Sequence, residues 1–244
     1  MKIEQITLIG GSASTNHGLP PDIKPWVDIV QDKFPDFKIS KLSQVGLTFV
    51  NAASELSEIP PADLLILQFA ISVGWPRPLV RTWFRVAGEG ESAYNPYWLQ
   101  QPRQRYGGTI IHKLKRNLLF RARNGLKYLL FLLGLYKAKT SYRELEDQID
   151  LVLKLAKKKA NQVIWIQQNP LQTHRIAVER SIYKKYIKRI KSKMDKVDRE
   201  FVKFINLEDI AKNHDFYIYD GVHLSEKGHL HLADLVTKEI EAML

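Results

Sequence analysis

Leu64–Ile71 is apolar at every position but Gln68 and follows Pro60-Pro61. A run without alternation buries both of its faces, which fits a parallel strand covered by helices on either side. Val163–Gln167 reads the same way and is stopped by Asn169-Pro170. Three more strands are expected at Ile6–Ile9, at Phe37–Leu42, which alternates, and at Phe201–Leu207. Helical patterns lie at Asp22–Lys33, at about 142–160, at about 176–197 and from Glu226 to Leu244. Strands alternating with helices predict an α/β fold with a central parallel sheet. The expectation is a single domain over 1–244, with no internal repeat.

One stretch breaks the alternation. Residues 76–140 hold Pro76, Pro78, Pro96, Pro102 and Gly107-Gly108, then the apolar and basic stretch Leu114–Tyr136. It reads as an insertion at about 76–140 between the third and fourth strands. So long a connection in a compact domain is a lid, a binding surface or an extra helical layer. Charge marks the same region. Between Glu91 and Glu144 there is no acid, while 92–143 contains eleven Lys and Arg residues. These equal the whole net charge of +11, so the rest of the chain is neutral. An anionic partner would be met there. The chain has no cysteine, which excludes disulfide scaffolds, thiolate zinc sites and a cysteine nucleophile. The start, MKIEQITLIGGSAS, has no signal-peptide core, and no charge-free apolar stretch reaches 18 residues. A cytoplasmic or membrane-peripheral protein is expected.

Three places suggest chemistry. Gly10-Gly11-Ser12 follows the first strand, at the sheet edge where open α/β folds bind ligands. Glycines there let a substrate approach the backbone, and the next helix can offer free amides. Ser12 or Ser14 could instead simply start a helix. Asp220-Gly-Val-His223 precedes the last helix. That spacing lets a carboxylate hold one imidazole nitrogen and leave the other as a base. Ser225 is a plausible N-cap for that helix. Gly46-Leu-Thr48 follows the second strand, where a glycine amide can face a developing charge.

Together these blocks resemble those of the SGNH hydrolases, also called GDSL esterases and lipases. The family's Gly-Asp-Ser is Gly10-Gly11-Ser12 here, its Ser-Gly-x-Thr is Val45-Gly46-Leu47-Thr48, and its Asp-x-x-His is Asp220-Gly-Val-His223. The resemblance covers about 1–75 and 160–244. It extends to the SGNH-like proteins of bacterial polysaccharide gene clusters, whose Gly-Ile-Val-Asp-Cys-Ala-Pro-Arg block corresponds to Ala70-Ile-Ser-Val-Gly-Trp-Pro-Arg77. It implies a three-layer, flavodoxin-like fold with five parallel strands in the order 2-1-3-4-5. It also implies Ser12 as nucleophile, His223 as base, Asp220 as its orienting acid, and an oxyanion hole from the amides of Ser12 and Gly46. Two positions depart from the family. Ser72 stands where the family's oxyanion asparagine does, with Val73 in place of the following aspartate, and Gly11 replaces the first-block aspartate. Ser72 is carried forward as a third oxyanion donor.

The implied function is an esterase acting on an acylated, chiefly O-acetylated, carbohydrate. The alternatives are a carbohydrate O-acyltransferase and a non-catalytic glycan-binding protein of polysaccharide biosynthesis. Arg77 could bind an anionic group on a sugar or stiffen its loop through a salt bridge. The run Leu114–Lys139 either lies on an anionic membrane surface or packs its apolar stripe on the core. The run 180–203 carries ten cations and three acids, with Ile182, Tyr186, Ile187, Ile190 and Met194 at helical spacing, and reads as a helix with a solvated basic face. No nucleic-acid motif is present. His17 reads as a surface-loop histidine, and His112, His174, His214, His229 and His231 lack metal-ligand spacing, so neither a metal nor a cofactor is expected.

Overall fold

The computed structural model describes residues 3–11, 14, 22–43, 47–69, 76–78, 125–126, 128–138, 140–169, 177–218 and 223–244. Strands are β1 (Gln5–Gly10), β2 (Lys38–Ser43), β3 (Ala62–Phe69), β4 (Pro76–Pro78), β5 (Tyr136–Ala138), β6 (Ala160–Gln167) and β7 (Val202–Asn206). Five of them form a parallel sheet in the order β2-β1-β3-β6-β7. Renumbered within the sheet this is 2-1-3-4-5, the expected order. The helices are α1 (Trp26–Lys33), α2 (Phe49–Glu58), α3 (Tyr142–Lys159), α4 (Ala177–Met194) and α5 (Glu226–Glu241).

The period of two along each strand divides the core. Ile6 and Leu8 of β1, Leu64 and Ile66 of β3, and Ile164 and Ile166 of β6 face Trp26, Val27 and Val30 of α1 and Leu232, Val236 and Ile240 of α5. Ile9, Leu65, Leu67, Phe69, Val163 and Trp165 face the other layer, α2, α3 and α4. There Phe49, Phe69 and Trp165 pack as tilted rings with centroids 4.3–5.6 Å apart. The central strands thus bury both faces, as their unbroken apolar runs require. β2 lies at the edge and is mostly exposed, with Lys38 and Lys41 along it, which discourages pairing with another chain.

Local chemistry sets the helix ends. The sequence suggested that α1 starts at Asp22, but it starts at Trp26. Pro25 is its N-cap, with φ −65° and ψ 155°, and a proline pushes the residue before it out of helical geometry. α3 begins with a full capping box, Ser141 accepting from the Glu144 amide and Glu144 from the Ser141 amide. Ser225 caps α5, as its sequence position suggested, accepting from the Gly228 N–H at 3.3 Å. α2 is an addition to the elements expected from the sequence, where Gly46-Leu-Thr48 reads as a loop. Its signal was present: Phe49, Ala52, Ala53 and Leu56 are buried at i, i+3, i+4 and i+7, and Thr48 caps it.

β4 and β5 pair antiparallel, Pro76 opposite Ala138 and Pro78 opposite Tyr136, which brings together the two ends of the chain between them. On α4, Ile182, Tyr186, Ile187, Ile190 and Met194 are buried while Lys184, Lys185, Lys188 and Arg189 are exposed, matching the amphipathic reading. No described helix is long and apolar enough to cross a membrane.

Candidate active site

The carboxyl edge of the sheet is a row of backbone partners. Gly10 lies between Ser43 of β2 and Gln68 of β3, and Gln167 of β6 lies between Phe69 and Asn206. Each chain segment carrying a candidate residue leaves from this row or from the helix starts above it.

The turn after β1 is tight. The Ser14 N–H donates to the Gly11 carbonyl at 3.0 Å, and the Ser14 hydroxyl donates to the same oxygen at 2.7 Å. That uses the only hydroxyl proton of Ser14, so in its 2.9 Å contact with the Ser43 hydroxyl Ser14 accepts. Ser14 is buried and both its hydrogen-bonding roles are filled, which makes it a structural serine and not a nucleophile. It also explains Gly10. A Cβ on Gly10 would lie 2.8 Å from the Ser14 Cβ, so this glycine makes room for the turn, whereas the sequence suggested that it makes room for a substrate.

Beneath the turn runs a buried polar chain. The Trp26 indole donates to Gln68 Oε1 at 3.3 Å, and the Trp26 backbone N–H donates to His229 Nδ1 at 3.1 Å. Pro25 makes no side-chain cap bond, so a histidine from α5 satisfies the first amide of α1. As an acceptor at Nδ1, His229 is neutral with its proton on Nε2. Burial pushes its pKa down to about 4, and the charge of nearby His223 acts in the same direction.

His223 is half-buried at the foot of α5. Its carbonyl accepts from the Ile218 N–H at 3.0 Å, and Tyr217 bridges Leu224 in antiparallel fashion. The loop holding Asp220 is therefore closed at its base. The Tyr217 hydroxyl donates to the Asn169 carbonyl at 2.6 Å, tying this base to the end of β6, and burial raises the Tyr217 phenol well above its ordinary value. Among the described residues, Gln68 Nε2, Gln167 Oε1 and Asn169 Oδ1 are buried at this edge without a hydrogen-bond partner.

Ser12, Gly46, Ser72 and Asp220 lie outside the described residues, as do His17, His112 and His174. Arg77 is described only in its backbone, opposite Lys137. No group of three or more His, Asp or Glu able to hold a metal ion occurs among the described residues.

No family model matches the chain, and no curated protein matches it by sequence. Solved structures do. A lipase/acylhydrolase from Enterococcus faecalis superposes with a TM-score of 0.59 at 14% identity, over 98% of this chain and 96% of that one. An acetylxylan esterase from Geobacillus stearothermophilus gives 0.56 at 16% identity, over 98% and 96%. A member of the lipolytic protein G-D-S-L family from Veillonella parvula gives 0.56 at 11% identity, over 99% and 100%. The chain has the SGNH-hydrolase fold.

Within the SGNH fold, the sequence blocks put the expected site at the carboxyl edge of the sheet. The residues beneath it, Trp26, Gln68 and His229, were missed. A proline N-cap was a cue for Trp26, since such a cap leaves the first amide in need of a partner. His229 lies four residues after the Ser225 cap, and its burial came only from the packing of α5 on α1.

Proposed function

We propose that the chain is a serine ester hydrolase of the SGNH type acting on an acylated, chiefly O-acetylated, carbohydrate. The observation that carries this reading is the link between the two halves of the site. His229, four residues before which α5 is capped, contacts Trp26, Trp26 contacts Gln68, and Gln68 is the backbone neighbour of Gly10. The segment ending in His223 and the turn after Gly10 are thus tied to one buried scaffold at one edge. Ser14 is already committed to the turn, which supports Ser12, the serine that the resemblance implies, as the nucleophile of that block. The similarity to an acetylxylan esterase supports the carbohydrate substrate.

In this mechanism the Ser12 hydroxyl attacks the ester carbonyl while His223 takes its proton, and Asp220 holds the imidazole in orientation. The amides of Ser12 and Gly46 and the Ser72 hydroxyl donate to the tetrahedral oxyanion. His223 returns the proton to the leaving alcohol, and water, activated in the same way, frees the acid from Ser12. Arg77 holds an anionic group on the sugar. A sugar hydroxyl in place of water would make the same acyl-serine the intermediate of an acyltransferase. The replacements at Gly11 and Ser72 favour a third reading, a glycan-binding protein without turnover.

A fluorophosphonate, which reacts only with an activated serine, separates these readings. Labelling of Ser12 with release of acetate from acetylated sugars is the expected result, and transfer to an added sugar without free acetate would identify the transferase. A protein that neither labels nor releases acetate is not an esterase. Ser72→Ala is expected to lower kcat on an aryl acetate by about tenfold, less than the 10²–10³ typical of a full oxyanion donor, because a hydroxyl is shorter than an amide. A rate equal to wild type would remove Ser72 from the oxyanion hole.

A further inference from the structure

We propose that the short helix at 128–132 seats the protein on an anionic lipid surface. Tyr128, Leu129, Phe131, Leu132 and Leu133 are all exposed, Leu132 to 64% and Leu133 to 61%. Leu130 is the residue that turns inward, packing against the core of α2, α3 and α4. The alternative offered by the sequence, an apolar stripe buried on the core, therefore does not describe this helix. Its end is well defined. The Gly134 N–H donates to Phe131 O at 2.9 Å and the Leu135 N–H to Leu130 O at 2.8 Å, with Gly134 at φ 69°, the left-handed cap that glycine adopts most easily.

Two observations select the occupant. The first is shape. A groove on another protein takes a narrow stripe at i, i+3 and i+4, whereas these side chains fan around most of the helix and leave one side for the core. A fluid interface accepts such a fan. The second is charge. In sequence Arg121 and Arg123 precede helical Gly125-Leu126, Lys127 comes just before Tyr128, Lys137, Lys139 and Arg143 follow the helix, and no acid occurs between Glu91 and Glu144. Apolar residues flanked by cations are the pattern that anionic interfaces attract, each nearby cation adding to the affinity. A second copy of the chain would instead bring two such cationic segments together. The helix is too short to span a bilayer, so the contact is a seat in the headgroup region. The insertion leaves after the carboxyl end of β3 and returns to the Ser141 cap of α3, so both of its ends lie at the edge of the sheet that carries the turn after β1.

The test is cosedimentation with phosphatidylcholine vesicles with and without about one third phosphatidylglycerol. Binding is expected to be at least about tenfold tighter to the anionic vesicles and to weaken as sodium chloride rises from about 0.1 to 0.5 M. Leu132→Gln with Leu133→Gln leaves the charge unchanged and removes apolar contact, and it is expected to weaken binding by about 10- to 100-fold. Both residues are exposed, so thermal melting should stay at the wild-type temperature and confirm that the variant is folded. The proposal fails if the wild type ignores anionic vesicles, or if the double variant binds as the wild type does. It also fails if the variant loses a concentration-dependent dimer that never binds vesicles, which would make this face a contact between copies.

Discussion

Ser12→Ala is expected to reduce hydrolysis of an activated ester by about 10⁴ or more, to the residue left by binding and the oxyanion donors alone. Asp220→Asn should cost a comparable factor, about 10⁴, because the imidazole of His223 would then be held in the wrong tautomer. The informative control is Ser14→Ala. Ser14 donates to Gly11 O and receives from Ser43, so its loss loosens the turn by about 1–3 kcal/mol through the partners it abandons. It removes no nucleophile. Fluorophosphonate should still label Ser14→Ala and should not label Ser12→Ala. Steady-state rates, with melting curves to confirm folding, decide the matter. Turnover by Ser12→Ala at the wild-type rate would end the assignment.

The second large effect concerns acid stability. His229 has its pKa lowered from the ordinary 6.5 to about 4, chiefly by burial. Below 6.5 the unfolded chain binds a proton at this position that the folded chain refuses. The stabilisation is therefore complete above about pH 6.5 and is lost progressively down to about pH 4. At about 1.4 kcal/mol per pH unit this amounts to about 3 kcal/mol, a large share of the 5–15 kcal/mol that holds a typical domain. His229→Asn keeps an acceptor near the Trp26 N–H but does not titrate. Denaturant melts of this variant at pH 7, 6, 5 and 4 should lack that 3 kcal/mol slope. A variant with the wild-type slope would show that the acid sensitivity arises elsewhere. His229→Ala leaves the Trp26 amide unpaired and opens a cavity, and it should cost about 2–4 kcal/mol even at pH 7.

The sheet was legible because burial on both faces leaves no polar alternation in the sequence. Val163–Gln167 and Leu64–Ile71 announce themselves that way, and their observed spans differ by a few residues at the ends. β3 runs from Ala62 to Phe69, two residues ahead of the expected start at Leu64, and Ala70 and Ile71 lie outside the described residues. α2 is short, and its signal is the pairing of Thr48 as a cap with the apolar spacing of Phe49, Ala52, Ala53 and Leu56, directly after a glycine that reads as loop. Of the site, the sequence marked residue types suited to the proposed chemistry, such as His223. It could not mark those that hold them. The roles of Gln68, Trp26 and His229 depend on atoms up to 203 positions apart along the chain, and no local pattern encodes such a meeting.

The short antiparallel clasp of β4 and β5 has an evolutionary consequence. Because the chain departs and comes back at a single closed gate, whatever lies between Pro78 and Tyr136 is a side excursion from the path linking β3 to α3. Extending or trimming an excursion whose ends are already joined changes closure entropy only logarithmically, by roughly 0.6 kcal/mol for each doubling in length. The backbone pairing of β3 with β6, from Ala62 opposite Ala160 to Phe69 opposite Gln167, lies outside it. Exposed residues of the excursion, such as Leu132 and Leu133, can therefore be exchanged to suit a new surface while the parallel sheet is left as it was, whereas Leu130 is held by the core.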